Sequence, residues 1–526
     1  MSTSQQTALV DDRQSLHDRA AAAVIGLAFV TFVLAWAALF EVAKPGSTVA
    51  GISLYDLFGV FSLVLGAIVA GIGLVSRFGY VETDPSASAG LVTGGVFGLL
   101  GFVVVGLIVS QTLGINGPYG IGWFVPASLG GIGLLLATVL PREDVGSTLP
   151  AGAFAVFVGV ILLTRTIGPE WTWHPTDVEP TFSADIVVPG IMLVVSLLVV
   201  WAGAKAYDGF GSRGRQTGAY VLITLNAFGM LAVLFLLVAF IVTRGWAGLF
   251  RGFSLLPFHW PFVTNAANIT NDVNGIWPAI VGTVWLVVGA VVIAVPMGVG
   301  AAIFLTEYAE QGRFTRVIEI ATNGLWSTPS IVYGLFGLAF FVPRFGNHDS
   351  ILAGQFVLGF MLLPLVVTTS REALKAVPDE YRDASAALGV SQWQTIRSVV
   401  LPAALPGVVT GIILGIGRIA GETAPILLVT SSSSNPTPQY AVDVLGSFTF
   451  TATPPFVTND ALLQGSTALP YQLYALVTAG IGRAGTGGIG GSIDPWSTAL
   501  VLLLVVLSFY AVGITTRWYF RRKLHQ

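Results

Sequence analysis

The chain has 526 residues, 54% of them hydrophobic and only 10% charged, with a mean hydropathy of +0.80 and a formal net charge of −3. A soluble domain carries about 25% charged residues, so this composition excludes a water-soluble particle and indicates a membrane protein. The near-neutral charge excludes a broad basic face for nucleic acid, and the absence of Cys excludes disulfides, iron–sulfur clusters and thiolate zinc sites. His17, His174, His259, His348 and His525 form no close ligand pair, which argues against a metal enzyme.

A helix needs about 20 apolar residues to cross the hydrocarbon. By that rule residues 1–19 form a tail, and twelve spans follow at 20–40, 54–76, 90–111, 121–140, 149–166, 185–204, 217–242, 275–304, 315–342, 351–370, 403–427 and 496–517. The predicted fold is therefore all-α and polytopic. The first span is too long for a signal-peptide core and reads as a retained helix. An even number of spans puts both termini on one side. Placing them in the cytoplasm leaves seventeen of the 24 Lys and Arg in cytoplasmic segments and six outside, with Arg418 inside a span, as the positive-inside rule requires. The outer segments carry about eleven carboxylates against those six cations, a face that repels anions.

Residues 205–216 (KAYDGFGSRGRQ) read as a polar, basic linker. Before it, 20–204 is a region of about six helices with no charge inside its spans; after it, 217–526 holds every functional signal. The outer segment 428–495, with its SSSSNPTP and GTGGIGGS stretches, reads as loop. Asn268 begins a glycosylation sequon on another outer loop.

Residues 371–402 are polar and punctuated for two short helices. Pro378 suits a first helical position, with Asp379 and Glu380 favourable to the dipole there. Gly389 supplies a stop, Ser391 with Gln394 makes a capping box, and the second helix is expected to end at Pro402. Such an elbow is either an ordinary amphipathic loop or a rigid lever for a cytoplasmic partner. Its residues resemble the EAA loop of ABC-importer permeases, E-A-A-x3-G-x9-I-x-L-P. Asp383-Ala384-Ser385 stands for E-A-A, followed at matching spacing by Gly389, Val399, Leu401 and Pro402; Asp, Ser and Val are the departures. TPSIVYGLFGLAFFV (328–342), GRIAGETAPILL (417–428) and STALPYQLYAL (466–476) resemble the membrane subunits of phosphate-specific importers, the PstA type more than the PstC type. The resemblance covers roughly 217–526 and implies that its six helices form a type I importer permease domain.

Within the eleventh span, Arg418 and Glu422 are expected to share one helix face and to pair. The pair either glues helices together or forms an anion station, since a guanidinium matches phosphate oxygens with two-pronged donation. Thr423, with Gly417 and Gly421, thins the helix around them. Pro329 is expected to break span nine, where Ser327, Thr328 and Ser330 could line a path or simply flank a packing kink. Glu319 reads as a surface-anchoring charge.

No G-x-x-x-x-G-K-[ST] loop occurs in the sequence, so no cofactor is expected in this chain and ATP with Mg is assigned to a separate ATPase. The resemblance implies a permease subunit for inorganic phosphate in the cell membrane. Its partners would be a PstC-type subunit, two ATPase copies and an extracellular phosphate-binding protein. The alternatives are a PstC-type subunit or a permease for another oxyanion such as sulfate or phosphonate, and, from another class, a membrane enzyme or channel without an ATPase.

Overall fold

A computed structural model describes residues 16–43, 48–49, 51–86, 91–107, 109–110, 115, 121–174, 181–267, 273–310, 312–430, 440–454, 456–478 and 493–524. The Asn268 sequon and the SSSSNPTP and GTGGIGGS stretches lie outside them. The chain divides into two compact units, Met1–Leu237 and Val238–Gln526. The boundary falls inside a single helix, α7 (Ser212–Leu249).

The first unit contains α1 (Leu16–Leu39), α2 (Leu54–Arg77), α3 (Leu91–Leu107), α4 (Phe124–Val139), α5 (Glu143–Leu163), α6 (Ala184–Tyr207) and the start of α7. Two small antiparallel hairpins, β1–β2 (Thr48–Val49, Ile52–Ser53) and β3–β4 (Thr172–Trp173, Phe182–Ser183), accompany them. Helices in lipid gain no hydrophobic drive from meeting one another, so close backbone approach has to hold them. Glycines provide it. A Cβ on Gly66 of α2 would stand 2.6 Å from the Gly152 carbonyl oxygen of α5, and one on Gly152 would stand 2.7 Å from the Gly66 oxygen. Gly98 and Gly101 of α3 face Gly131 and Gly130 of α4 in the same manner.

The reading of this region as free of informative charge needs correction at the helix ends. Glu143, 2% exposed, accepts from Arg215 Nη1 at 2.7 Å and lies 3.0 Å from Lys205 Nζ, itself 4% exposed. The basic segment 205–216 is thus the end of α6, a turn and the start of α7, with two of its cations on one buried carboxylate. Asp144 beside it is fully buried and accepts from Ser76 Oγ at 3.1 Å. Both acids stand in the first turn of α5, where the helix dipole favours them. That explains why the helix begins at 143 and not 149, with Pro150 carried inside it.

The second unit contains the end of α7, a short α8 (Pro261–Thr264), α9 (Trp277–Ile303), α10 (Arg313–Ser327), α11 (Ser330–Phe340), α12 (Ile351–Lys375), α13 (Asp379–Ala387), α14 (Gln392–Thr395), α15 (Leu401–Ala420), α16 (Ala424–Val429), α17 (Leu469–Thr478) and α18 (Pro495–Leu524). A third hairpin pairs β5 (Phe448–Phe450) with β6 (Val457–Asn459). The pillar is α12, most of whose apolar length is buried. Val366 of α12 closes over Gly298 of α9, and Gln355 packs on Gly289 and donates to the Trp285 carbonyl at 2.9 Å. On the other side Tyr510 and Gly513 of α18 seat against Gly417 and Ile413 of α15.

Helices occupy all twelve predicted places, and the all-α polytopic architecture stands. Among the described residues, however, nine are long and apolar enough to cross a membrane, or ten if one bent pair counts as a span. The helices at 90–111 and 121–140 are 17 and 16 residues long. The span expected at 315–342 is α10 and α11, bent by 101° at Thr328–Pro329. The cause is local: proline drives the residue before it out of the helical region, and Thr328 sits at φ −68°, ψ 130°.

Replacing Gly66 by Leu is expected to lower the thermal stability of the purified protein by about 1–3 kcal/mol, the usual cost of overpacking, because the atoms it meets belong to backbone. Gly71→Ala on the same helix meets nothing within 4 Å and is expected to be neutral or stabilising.

Candidate functional site

The elbow forms as a helix, a left-handed glycine and a second helix. Pro378 is the N-cap of α13, one place earlier than expected, so Asp379 and Glu380 take the first turn. Gly389 has φ +72°, and around it Gly389 N donates to Ala386 O at 2.9 Å and Val390 N to Ser385 O at 3.2 Å. These are the two bonds of a Schellman stop. Ser391 then caps α14 by accepting from Gln394 N at 3.5 Å.

The second helix does not end at Pro402. It passes through a π-turn (Ile396–Val400) directly into α15. Proline removes an amide donor and crowds the carbonyl four residues back; the wider turn before it gives the ring room, and Leu401 N bonds Ile396 O instead. Val399, Leu401 and Pro402 are half-buried at this entry to the span, whereas Asp383 and Ala384 are exposed and Ser385 is buried, donating to Tyr381 O at 3.0 Å. The exposed surface of the elbow also carries Tyr381, Leu388 and Trp393, with Leu388 82% exposed.

Arg382 and Glu307, which sequence reasoning left unassigned, hold the elbow in place. Glu307 lies in a second π-turn (Phe304–Tyr308) at the end of α9. Arg382 donates from Nη2 to Glu307 Oε1 at 2.8 Å and from Nε to Oε2 at 3.3 Å, a two-pronged pair. It also reaches the carbonyls of Leu374 at 3.0 Å and Val377 at 2.8 Å, covering the open end of α12, and Asp379 Oδ1 at 3.1 Å. The hydrogen bonds that Arg382 donates to Glu307, before any other influence, raise its pKa above its ordinary value. Gln392 Nε2 donates to the Glu307 carbonyl at 2.6 Å, so both halves of the elbow are tied to one turn. Glu319 is no free surface anchor: Arg371 Nη2 donates to it at 2.6 Å, joining α10 to α12.

The expected Arg418–Glu422 pair is not formed. Helix α15 ends at Ala420, Gly421 and Glu422 lie in a break, and Thr423 is the N-cap of α16. With the helix interrupted the four-residue spacing no longer puts the two charges on one face, and among the described residues no ion pair joins them. The break in α10–α11 faces the break after α15. Gly334 packs on Pro425, and Gly337 on Val429, so α11 and α16 run side by side in the same direction. Arg418 lies within electrostatic reach of Tyr333, whose hydroxyl donates to Leu325 O at 2.7 Å across the first break. Of the predicted path residues, Ser330 opens α11, and the hydroxyls of Ser327 and Thr328 both donate to the Gly324 carbonyl at 2.9 Å. Their donors are engaged with their own helix. Arg418, half-buried, stands in the last turn of α15, just before the second break.

A multi-pass helical unit with two interrupted spans and a latched polar elbow is the build of an importer permease. Residues 294–524 match the family described as "Binding-protein-dependent transport system inner membrane component". The chain is 30% identical over 283 residues to the phosphate transport system permease protein PstA 1 of Mycobacterium tuberculosis, covering 54% of this chain and 82% of that protein. It is 35% identical over 215 residues to PstA of Haemophilus influenzae, covering 41% of this chain and 71% of that one. Among solved structures, an inward-facing MetNI methionine ABC transporter aligns over 46% of this chain and 93% of that one, at 18% identity and a TM-score of 0.33. The chain belongs to the PstA-type permease subunits of ABC importers. As such it is a multi-pass membrane protein that works with an ATPase and a substrate-binding protein.

Gly389→Leu is expected to insert and assemble normally but to lose most of the stimulation of ATP hydrolysis by loaded binding protein. A side chain at positive φ costs about 1–2 kcal/mol, although nothing lies within 4 Å to clash with it, so the elbow is re-aimed and not unfolded. Glu307→Gln removes the charge from a buried two-pronged pair, worth about 1.5–3 kcal/mol; limited proteolysis is expected to cut faster between 376 and 392 in that variant.

Proposed function

We propose that this chain is the PstA-type half of an inorganic phosphate importer, paired with a PstC-type subunit and driven by two copies of a cytoplasmic ATPase that hold ATP and Mg. An extracellular phosphate-binding protein delivers the substrate. The chain lies in the plasma membrane with both termini cytoplasmic, in keeping with the distribution of Lys and Arg along the sequence. On this reading the elbow faces the ATPase, with Asp383, Ala384, Ser385 and Gly389 at the contact and Val399, Leu401 and Pro402 carrying the motion into α15.

The observation that carries the reading is Arg418 at the junction of two broken spans. Phosphate at neutral pH bears between one and two negative charges, and a guanidinium offers it parallel donors. Half-helix starts that point at anionic groups are a recurrent device of transporters. Glu422 and Thr423 flank the same break. A carboxylate free of Arg418 can accept from a protonated phosphate oxygen and opposes excessive retention of a dianion, so the ion passes on.

Uptake of labelled phosphate by cells with and without this gene, competed with sulfate and phosphonate, tests the substrate; equal uptake by both strains would sink the reading. Arg418→Gln is expected to cut uptake at least about tenfold, the loss of one hydrogen bond to a charged group, with the complex still assembled. Because Arg418 is not holding Glu422, its loss strands no buried partner. Arg418→Lys keeps the charge without the fork and is expected to keep partial transport.

A further inference from the structure

Glu319 is met by more positive charge than one carboxylate neutralises. Arg371 Nη2 donates to its Oε1 at 2.6 Å, and Lys375 and Arg316 lie within electrostatic reach of the same group. Arg371 and Lys375 stand four residues apart on one face of α12, and Arg316 precedes Glu319 by three on α10. Among the described residues neither Arg316 nor Lys375 forms an ion pair, and Glu372 beside them forms none either. Helix formation does not account for the excess. Arg313 and Arg316 occupy the first turn of α10, where the dipole favours acids and no acid stands.

The Arg371 fork is also only half filled. Its side chain is 12% exposed, and among the described residues its buried Nε has no hydrogen-bond partner. A buried donor left in that state costs about 1–3 kcal/mol, and more when charged. Arg382 shows the contrast, with Nε and Nη2 on the two oxygens of Glu307. A tetrahedral oxyanion has oxygens enough for Nε, Nη2 and the two neighbouring cations together. The cluster also lies along the helix that leads to the first break. From Glu319 to Leu325 α10 rises about 9 Å, and the Leu325 carbonyl accepts from Tyr333, the side chain within electrostatic reach of Arg418.

The geometry points to a second anion station, formed by Arg316, Arg371 and Lys375, that receives inorganic phosphate from the level of Arg418 and is held by Glu319 between ions. Phosphate carries up to two negative charges against the single charge of Glu319, so it displaces the carboxylate from Arg371. The carboxylate then competes for the same guanidinium and returns as the ion leaves, which keeps the station from retaining its cargo. Since the Arg371–Glu319 pair joins α12 to α10, the exchange also frees one helix from the other while the ion is present. Lys375 is the last residue of α12, at the elbow, so in the proposed orientation this is the cytoplasmic station. The inference deepens the phosphate reading and rests on it.

The test is labelled-phosphate uptake into proteoliposomes that hold the whole importer complex, supplied with loaded binding protein and ATP. The double variant Arg316→Gln with Lys375→Gln is expected to assemble and to lower maximal uptake about tenfold or more, the loss of a hydrogen bond to a charged group. The binding-protein concentration for half-maximal uptake stays as in the wild type, because these residues act after delivery. Arg316→Lys with Lys375→Arg keeps both charges and is expected to transport. Glu319→Gln removes the competing carboxylate and is expected to hold labelled phosphate on the complex after ATP is spent, a retention that a mere strap between helices would not produce. Normal uptake by the glutamine double variant overturns the station, as does release from Glu319→Gln at the wild-type rate. A loss of uptake confined to vesicles containing anionic lipid also overturns it, by assigning the cations to lipid phosphates. Absence of phosphate uptake by the wild type overturns the phosphate reading itself, and the station's substrate with it.

Discussion

Everything in this fold follows from one demand of the bilayer: each backbone N–H and C=O must find its partner within the chain. Helices meet that demand segment by segment, so the architecture is helical apart from hairpins and loops. The cost falls where a helix stops. Breaks at 328–329 and 421–423 release amides and carbonyls inside otherwise apolar segments, and the structure puts the two breaks against each other, with Tyr333 reaching the Leu325 carbonyl. Gly334 and Gly337 let α11 and α16 close up enough to shield them. On the proposed function, an interrupted span tolerated in this manner is where polar groups would meet an ion at depth, and Arg418 stands in the last turn before the second break.

Helix α12 turns that local arrangement into a mechanism. Its 25 residues span about 37 Å at the α-helical rise. At one end Ile351 N donates to the Gln464 carbonyl beside the end of α16; the other end is covered by Arg382, which belongs to the elbow and is locked to the end of α9 through Glu307. Close packing along α9 and α15 denies it independent bending. On the proposed function, a movement imposed on the elbow by an ATPase would reach the broken spans through this packed helix.

Much of this was legible from local chemistry. The stop at Gly389, the cap at Ser391 and the break at Pro329 each follow from one residue's backbone preference, and each is observed. What the sequence hid depends on partners far along the chain. Glu307 and Arg382 are 75 residues apart, and Glu143 meets Lys205 and Arg215 across similar distances; no periodicity links such positions. The Arg418–Glu422 pairing failed for another reason. It assumed one uninterrupted helix across Gly421, where Gly421, Thr423 and Pro425 in five residues are themselves signals of a break.

The two π-turns explain how the elbow can be both rigid and correctly aimed. A π-turn is rare because it widens the helix and weakens its packing, and here one ends α9, at Phe304–Tyr308, and the other joins α14 to α15, at Ile396–Val400. The first turns the carbonyl of Glu307 outward to Gln392 while its carboxylate grips Arg382. The second admits Pro402 without a kink large enough to sever α14 from α15. Removing one residue from the second would rotate α15 relative to α14 by about 100°, the helical step. The exposed Trp393 of α14 would then change its direction relative to α15. The irregular backbone thus sets how the elbow continues into α15, and the Glu307–Arg382 pair ties it to the end of α9.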